Sequence, residues 1–181
     1  MTTRFKSVIA FLAAVVVVAT VACAGDPASE TNRADRTHPK GNSKIHDKIA
    51  ASHRAIREGE LELAIQNYDV IILLDPNDAM AYANRGIAYD ELGEYQLAIH
   101  DFDKAIQLNP NYIKAYFKRG DAHMGLGEWE LAIQDFGDVI QLDPNDVSAY
   151  YWRGWLYGLI DQNAKADADK AKACSLDKEY C

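Results

Sequence analysis

Cysteine and proline are scarce in this chain, and an excess of positive charge is missing altogether. Three cysteines, Cys23, Cys174 and Cys181, among 181 residues are too few to build a disulfide-stapled miniprotein. Nineteen Lys and Arg against 27 Asp and Glu leave a formal charge of −8. That is the wrong sign for a chain whose affinity rests on neutralising phosphates, so nucleic acid is not an expected partner. The spacings that catalysis leaves in a sequence are missing too: no phosphate-binding loop, nucleophile elbow, metalloprotease helix or paired-carboxylate motif occurs. His46 and His53 can share a helix face, yet two turns apart they cannot ligate one zinc ion about 2 Å from each. No metal or other cofactor is expected, and binding is a better expectation than catalysis. Hydrophobic residues are plentiful at 49% beside 25% charged, which excludes wholesale disorder, and the length suits one domain or a short array of small units.

Charge is also missing locally. Val8 to Ala24 carries none, follows Arg4 and Lys6, and is broken by Gly25-Asp26-Pro27, the pattern of an export signal. Seventeen residues span about 25 Å as a helix, short of a hydrocarbon core near 30 Å, so a leader fits better than a permanent anchor. Thr20-Val21-Ala22-Cys23 resembles the bacterial lipoprotein cleavage box, which implies a leader over residues 1–22 and lipidation at Cys23. Ordinary cleavage after Ala22-Cys23-Ala24, with a leader over 1–24, is the alternative and would release a soluble protein. Residues 23–44 contain no large apolar side chain beyond the cleavage region and two prolines, and are expected to form a flexible polar tether.

The remainder is one unit written four times. Pro76, Pro110 and Pro144 recur at a spacing of 34, and residues 45–78, 79–112, 113–146 and 147–180 align without a gap. Each unit ends in leucine (Leu74, Leu108, Leu142, Leu176), followed in the first three by a proline flanked by Asn or Asp, which stops one helix and opens the turn to the next. Gly59, Gly93 and Gly127 divide two amphipathic runs where a helix C-cap is expected. Each unit therefore predicts a helical hairpin. Ala64, Ala98, Ala132 and Ala166, with Gly86, Gly120 and Gly154, keep side chains small where helices cross. Tyr68, Phe102 and Phe136, with Tyr82, Tyr116 and Tyr150, fill the wider spaces.

This pattern is similar to the tetratricopeptide repeat family. Tyr82, Gly86, Tyr89, Ala98, Phe102 and Pro110 carry its signature in the second unit, and Tyr116, Gly120, Ala132, Phe136 and Pro144 in the third, where His123 replaces an aromatic. The first unit departs at Lys48, Ala51 and Ser52 and the fourth at Lys170 and Lys178, as polar capping units of a solenoid do. The resemblance implies an all-α, right-handed superhelical solenoid of four hairpins whose first helices line an inner groove for a peptide or helix of a partner protein.

Helical spacing places Met80, Asn84, Ile87 and Glu91, then Lys114, Phe117, Lys118, Asp121 and Met124, then Ser148, Tyr151, Trp152 and Trp155 on the face expected to line that groove. Trp152 and Trp155 are read either as binding aromatics or as packing under the C-terminal tail. Some family members grip a C-terminal carboxylate with lysines and asparagines; Asn84, Lys114 and Lys118 fall in matching places, but Ile49 and His53 stand where the first unit should complete the clamp. Arg85, Arg119 and Arg153 occur in the same units as Asp101, Asp135 and Asp169, and the first unit has Ala51 and Asn67 instead, which predicts an ion pair within each hairpin. Cys174 and Cys181 would lie about 10.5 Å apart along an unbroken helix, beyond the roughly 7 Å bridging limit. A disulfide, as in the cysteine-paired Sel1-like relatives, requires the helix to stop near Leu176; two free thiols are the alternative. The expected function is a protein-binding scaffold of the bacterial envelope, lipid-anchored or periplasmic. A soluble periplasmic holdase or assembly factor and a self-associating structural protein are the alternatives.

Overall fold

The computed structural model describes the backbone of residues 40–181 and side chains from residue 47. The expected leader, Cys23 and most of the tether lie outside the described residues. Eight helices follow in order: α1 (Lys40–Glu58), α2 (Leu61–Leu74), α3 (Ala79–Glu91), α4 (Tyr95–Leu108), α5 (Ile113–Leu126), α6 (Trp129–Leu142), α7 (Val147–Leu159) and α8 (Asn163–Leu176), then a 3₁₀ turn over Lys178–Tyr180. There is no strand among the described residues, and no described helix is long and apolar enough to cross a membrane. α1 begins at Lys40, not at Ile45 where the first repeat was placed. Lys40–Lys44 has no large apolar residue for hydrophobic periodicity to register, and Gly41 falls in the first turn rather than in the helix interior.

The turns follow from their residues. Gly59, Gly93 and Gly127 have φ of 76°, 78° and 75°, the left-handed conformation that closes a helix and costs glycine nothing. In the fourth hairpin Asp161 takes that place at φ 59°. Between hairpins, Asp75, Asn109 and Asp143 accept a side-chain hydrogen bond from the backbone N–H two residues on, and Asp78 and Asp146 cap the helices that follow. The fourth copy of this turn has Lys178 in place of proline. Its Asp177 still accepts from Glu179 N–H at 2.9 Å, and the chain winds into the short 3₁₀ turn. That turn brings Cys181 back to Cys174, to which it is joined with Cα atoms 4.7 Å apart.

The core lies between hairpins as much as inside them. Ala64, Tyr68 and Ile71 of α2 are covered by Ala81 and Ala88 of α3. Ala98 and Phe102 of α4 meet Ala122 of α5, and Ala105 meets Ala115. Ala132, Phe136 and Val139 of α6 meet Ala149 and Leu156 of α7. These residues stand 34 apart in every column, so one packing solution is used three times. Glycine makes it possible: a methyl group on Gly86 would sit 2.8 Å from the Phe102 ring, and one on Gly120 would sit 3.2 Å from the Phe136 ring. Each buried Phe, Ile or Val side chain contributes about 1.5–3 kcal/mol relative to an exposed one.

The turn column supplies a direct test. Left-handed backbone costs a non-glycine residue roughly 1–2 kcal/mol, partly relieved for Asp, against the greater chain entropy glycine loses on folding. Asp161→Gly is expected to raise stability by about 0.5–1 kcal/mol in urea denaturation; an unchanged or lower midpoint would refute the assignment of strain to this turn.

Candidate functional site

The face expected to line the groove is divided in the structure. Met80 on α3, Lys114 on α5, and Tyr151 and Trp155 on α7 are exposed, and Met80, Tyr151 and Trp155 are large hydrophobic side chains. Ile87 instead packs against the cluster of Ala98, Phe102 and Ala122. Phe117 and Trp152 pack with Met124 against the cluster of Phe136 and Leu156, and the Phe117 ring meets the Phe136 ring edge-on at 5.2 Å. Asn84 is buried, its amide nitrogen 3.4 Å from His53 Nε2 on α1. Lys118 donates to Asp121 at 2.9 Å. Neighbouring first helices approach one another along this face, so its larger apolar side chains are drawn into the contact between hairpins, and only those at the edge of that contact stay open.

These contacts bear on the incomplete carboxylate clamp. Asn84 is engaged by His53 and Lys118 by Asp121, Ile49 packs against the first core cluster, and Lys114 alone of the three matching residues remains exposed. Acid gathers around Lys118. Burial pushes the Asp90 carboxyl above its ordinary range; Lys118 offsets part of this, and Asp121 and Glu91 add to the rise.

The last hairpin holds an open cleft. Tyr151, Trp152 and Trp155 form a chain of edge-on rings with centroids 5.3 and 6.1 Å apart, and Tyr180 of the 3₁₀ turn meets Tyr151 at 5.3 Å. Trp152 thus packs inward, whereas Tyr151 and Trp155 remain 42% and 47% exposed. Between them lies a cleft of about 220 Å³ lined by Tyr151, Gly154, Trp155, Ala166, Lys170 and Tyr180. Gly154 is the column mate of Gly86 and Gly120, and a methyl group there would meet Asp169 Cβ at 3.1 Å and the α8 backbone rather than an aromatic ring. Lys170 stands where Phe102 and Phe136 stand in earlier hairpins, and the space those rings fill is left open. The departure at Lys170 was visible in the sequence; Tyr180 closing the cleft was not, because it depends on how the tail folds back.

On the other side of the first helices the paired charges are in place. Arg85 donates through Nε and Nη2 to Asp101, both at 2.7 Å, and through Nη1 to Asp69 of the preceding hairpin at 2.6 Å. Arg119 repeats this with Asp135 and Asp103. Arg153 donates to Asp169 at 2.7 and 2.8 Å. Each guanidinium lies over tyrosine rings, Tyr82 and Tyr89, Tyr116, and Tyr150 and Tyr157 in turn. Donating to Asp101 raises the Arg85 pKa against the opposing effect of burial. For Arg119 burial is the largest influence and opposes the charge, but Asp135 and then Asp103 outweigh it. His123, where the family has an aromatic, lies with Nδ1 2.6 Å from Glu128 Oε2. In the first hairpin Lys48 donates to Asn67 in place of the Arg–Asp pair.

Known proteins resemble this arrangement closely. The tetratricopeptide repeat model matches residues 79–112, and a second repeat model matches residues 120–160. Comparison with curated protein sequences gives no match. Among solved structures, MamA from Desulfovibrio magneticus RS-1 is 31% identical, covering 75% of this chain and 77% of that one with a TM-score of 0.70. The second tetratricopeptide domain of human RPAP3, solved in complex with the HSP70 peptide SGPTIEEVD, is 31% identical over 64% of this chain and 96% of that one, with a TM-score of 0.60. The first such domain of Spaghetti (RPAP3), bound to the HSP90 peptide SRMEEVD, is 28% identical over 66% and 94%, with a TM-score of 0.63.

The buried half of the Arg–Asp clasp should carry measurable coupling. Asp135 is 2% exposed and Asp103 is 56% exposed. A double-mutant cycle on Arg119→Ala and Asp135→Ala is expected to give a coupling of about 1–3 kcal/mol, and Asp103→Ala alone to cost less than about 1 kcal/mol. A coupling near zero would remove the pair from the account of stability.

Proposed function

The chain belongs to the tetratricopeptide repeat family, and from that premise we propose that it is an adaptor of the bacterial cell envelope that holds a peptide or helix of another protein along its first helices. The observation that carries this reading is the open aromatic pair, Tyr151 and Trp155, on a helix whose Trp152 and Leu156 are packed into the core. Aromatic side chains with a dry ring face and an exposed edge are the usual anchors of a protein interface. The peptides held by the RPAP3 domains support a peptide as the ligand class. Met80 and Lys114 extend the contact along the array, and the acids around Asp90 and Asp121 favour a segment that carries positive charge on that side.

The envelope part of the proposal rests on the charge-free run from Val8 to Ala24 and on Cys23 in a lipoprotein-like box. A diacylated or triacylated cysteine binds a membrane far more firmly than one acyl chain, and the polar stretch after it would hold the array clear of the lipid surface. Relatives of this family act by binding, and no reaction is assigned to this chain.

Two measurements test the two halves separately. A photo-crosslinking residue at Lys114 is expected to capture a protein in intact cells that the same residue at Gln134, exposed on α6, does not, and Trp155→Ala to weaken that capture by about tenfold or more if it is a hot spot worth at least about 1.4 kcal/mol. Identical products from both positions would reject the groove. Cys23→Ala is expected to abolish incorporation of labelled fatty acid; unchanged labelling would reject the anchor.

A further inference from the structure

The Arg clasp is complete in two places and incomplete in the third. Asp69 and Asp103 each reach from the second helix of one hairpin to Nη1 of the arginine in the next. The column continues with Gly137. Among the described residues no carboxylate accepts from Nη1 of Arg153, and a methyl group on Gly137 would lie 3.6 Å from that nitrogen. Asp169 occupies Nε and Nη2, so the guanidinium is oriented with its remaining edge towards the gap. Its side chain is 20% exposed, which leaves that edge within reach of another molecule.

The surroundings carry positive charge as well. Lys165 stands where Leu97 and Leu131 stand in earlier hairpins, and Lys172 where the third hairpin has Asp138 and the second Lys104. The Lys165 ammonium lies 5.1 Å over the Tyr157 ring and the Lys172 ammonium 5.9 Å over the Tyr150 ring. Those are the two tyrosines that flank Arg153. Three cations therefore border a place from which the repeat has removed an anion, in a chain whose formal charge is −8.

We infer that this place is a carboxylate-binding site, and that an acidic group of a partner takes the position that Asp69 and Asp103 hold in the preceding clasps. The two occupied copies define the ligand: a carboxylate oxygen accepting from Nη1 at about the 2.6 Å seen for Asp69, a charge-assisted bond of the strong kind. Tyr150, Arg153 and Tyr157 form a stripe on the opposite side of α7 from Tyr151 and Trp155. The site is therefore separate from the groove, and the inference stands or falls independently of that reading.

The test follows the arginine side-chain Nε–H resonances of the ¹⁵N-labelled full chain. One titration uses amidated hexaglutamate, whose only carboxylates are side chains, and the other uses hexaglycine with a free C-terminal carboxylate. The Arg153 resonance is expected to shift saturably with one or both while those of Arg85 and Arg119, whose clasps are complete, stay in place. A shift with hexaglutamate alone assigns the ligand to acidic side chains, and with hexaglycine alone to a chain terminus. Gly137→Asp, which restores the carboxylate within the chain, is expected to weaken the response by about tenfold or more, the equivalent of one charge-assisted hydrogen bond; Gly137→Asn, of similar size, is expected to retain it. No shift at Arg153 with either peptide, equal shifts at all three arginines, or an undiminished response in Gly137→Asp would overturn the site.

Discussion

Ala64, Tyr68 and Ile71 leave water only because Ala81 and Ala88 belong to the next hairpin, and the same dependence links α4 to α5 and α6 to α7. Two short antiparallel helices have too little facing surface to enclose a core, so stability is shared across interfaces rather than held in units. Everything else in the molecule is arranged around keeping those interfaces in register. Glycine at 86 and 120 lets the aromatic column approach the first helix, and the 34-residue period returns the same side chains to the same places.

The charged residues perform a related task with a different force. Dispersion and burial bring hairpins together but fix their rotation weakly, whereas a bidentate guanidinium accepts few geometries. Arg85 and Arg119 each hold a carboxylate of their own hairpin and another from the hairpin before, over a tyrosine face. Buried Asp101 and Asp135 would be costly alone, so the clasp and the packing require one another. At the fourth hairpin both systems are altered together: Lys170 leaves the aromatic column empty, and Gly137 leaves Arg153 with one carboxylate instead of two. The last hairpin consequently keeps an open cleft and is the least acidic of the four, its five basic residues matching its five acids.

That asymmetry links structure to the proposed binding role. In the middle of the array, side chains on the groove face are absorbed by neighbours, as with Ile87, Phe117, Asn84 and Lys118. Towards the end fewer neighbours remain, and Tyr151, Trp155 and the cleft beside Tyr180 stay accessible. The tail contributes to this surface, because the link between Cys174 and Cys181 returns the chain to α8 with Tyr180 against Tyr151.

The period of 34 determined the number of hairpins, their boundaries at Leu74, Leu108, Leu142 and Leu176, the left-handed turns at Gly59, Gly93 and Gly127, and the pairing of each arginine with the aspartate sixteen residues on. All of these are local or repeat themselves, so one copy of the pattern reveals the others. Tertiary structure alone decided which groove-face residues face solvent, that each complete clasp draws a second carboxylate from the hairpin before, and that the tail shapes the cleft. Those outcomes depend on the distance between helices that are remote in sequence. Periodicity within one helix fixes the direction in which a side chain points, but what it meets there is set by its neighbours.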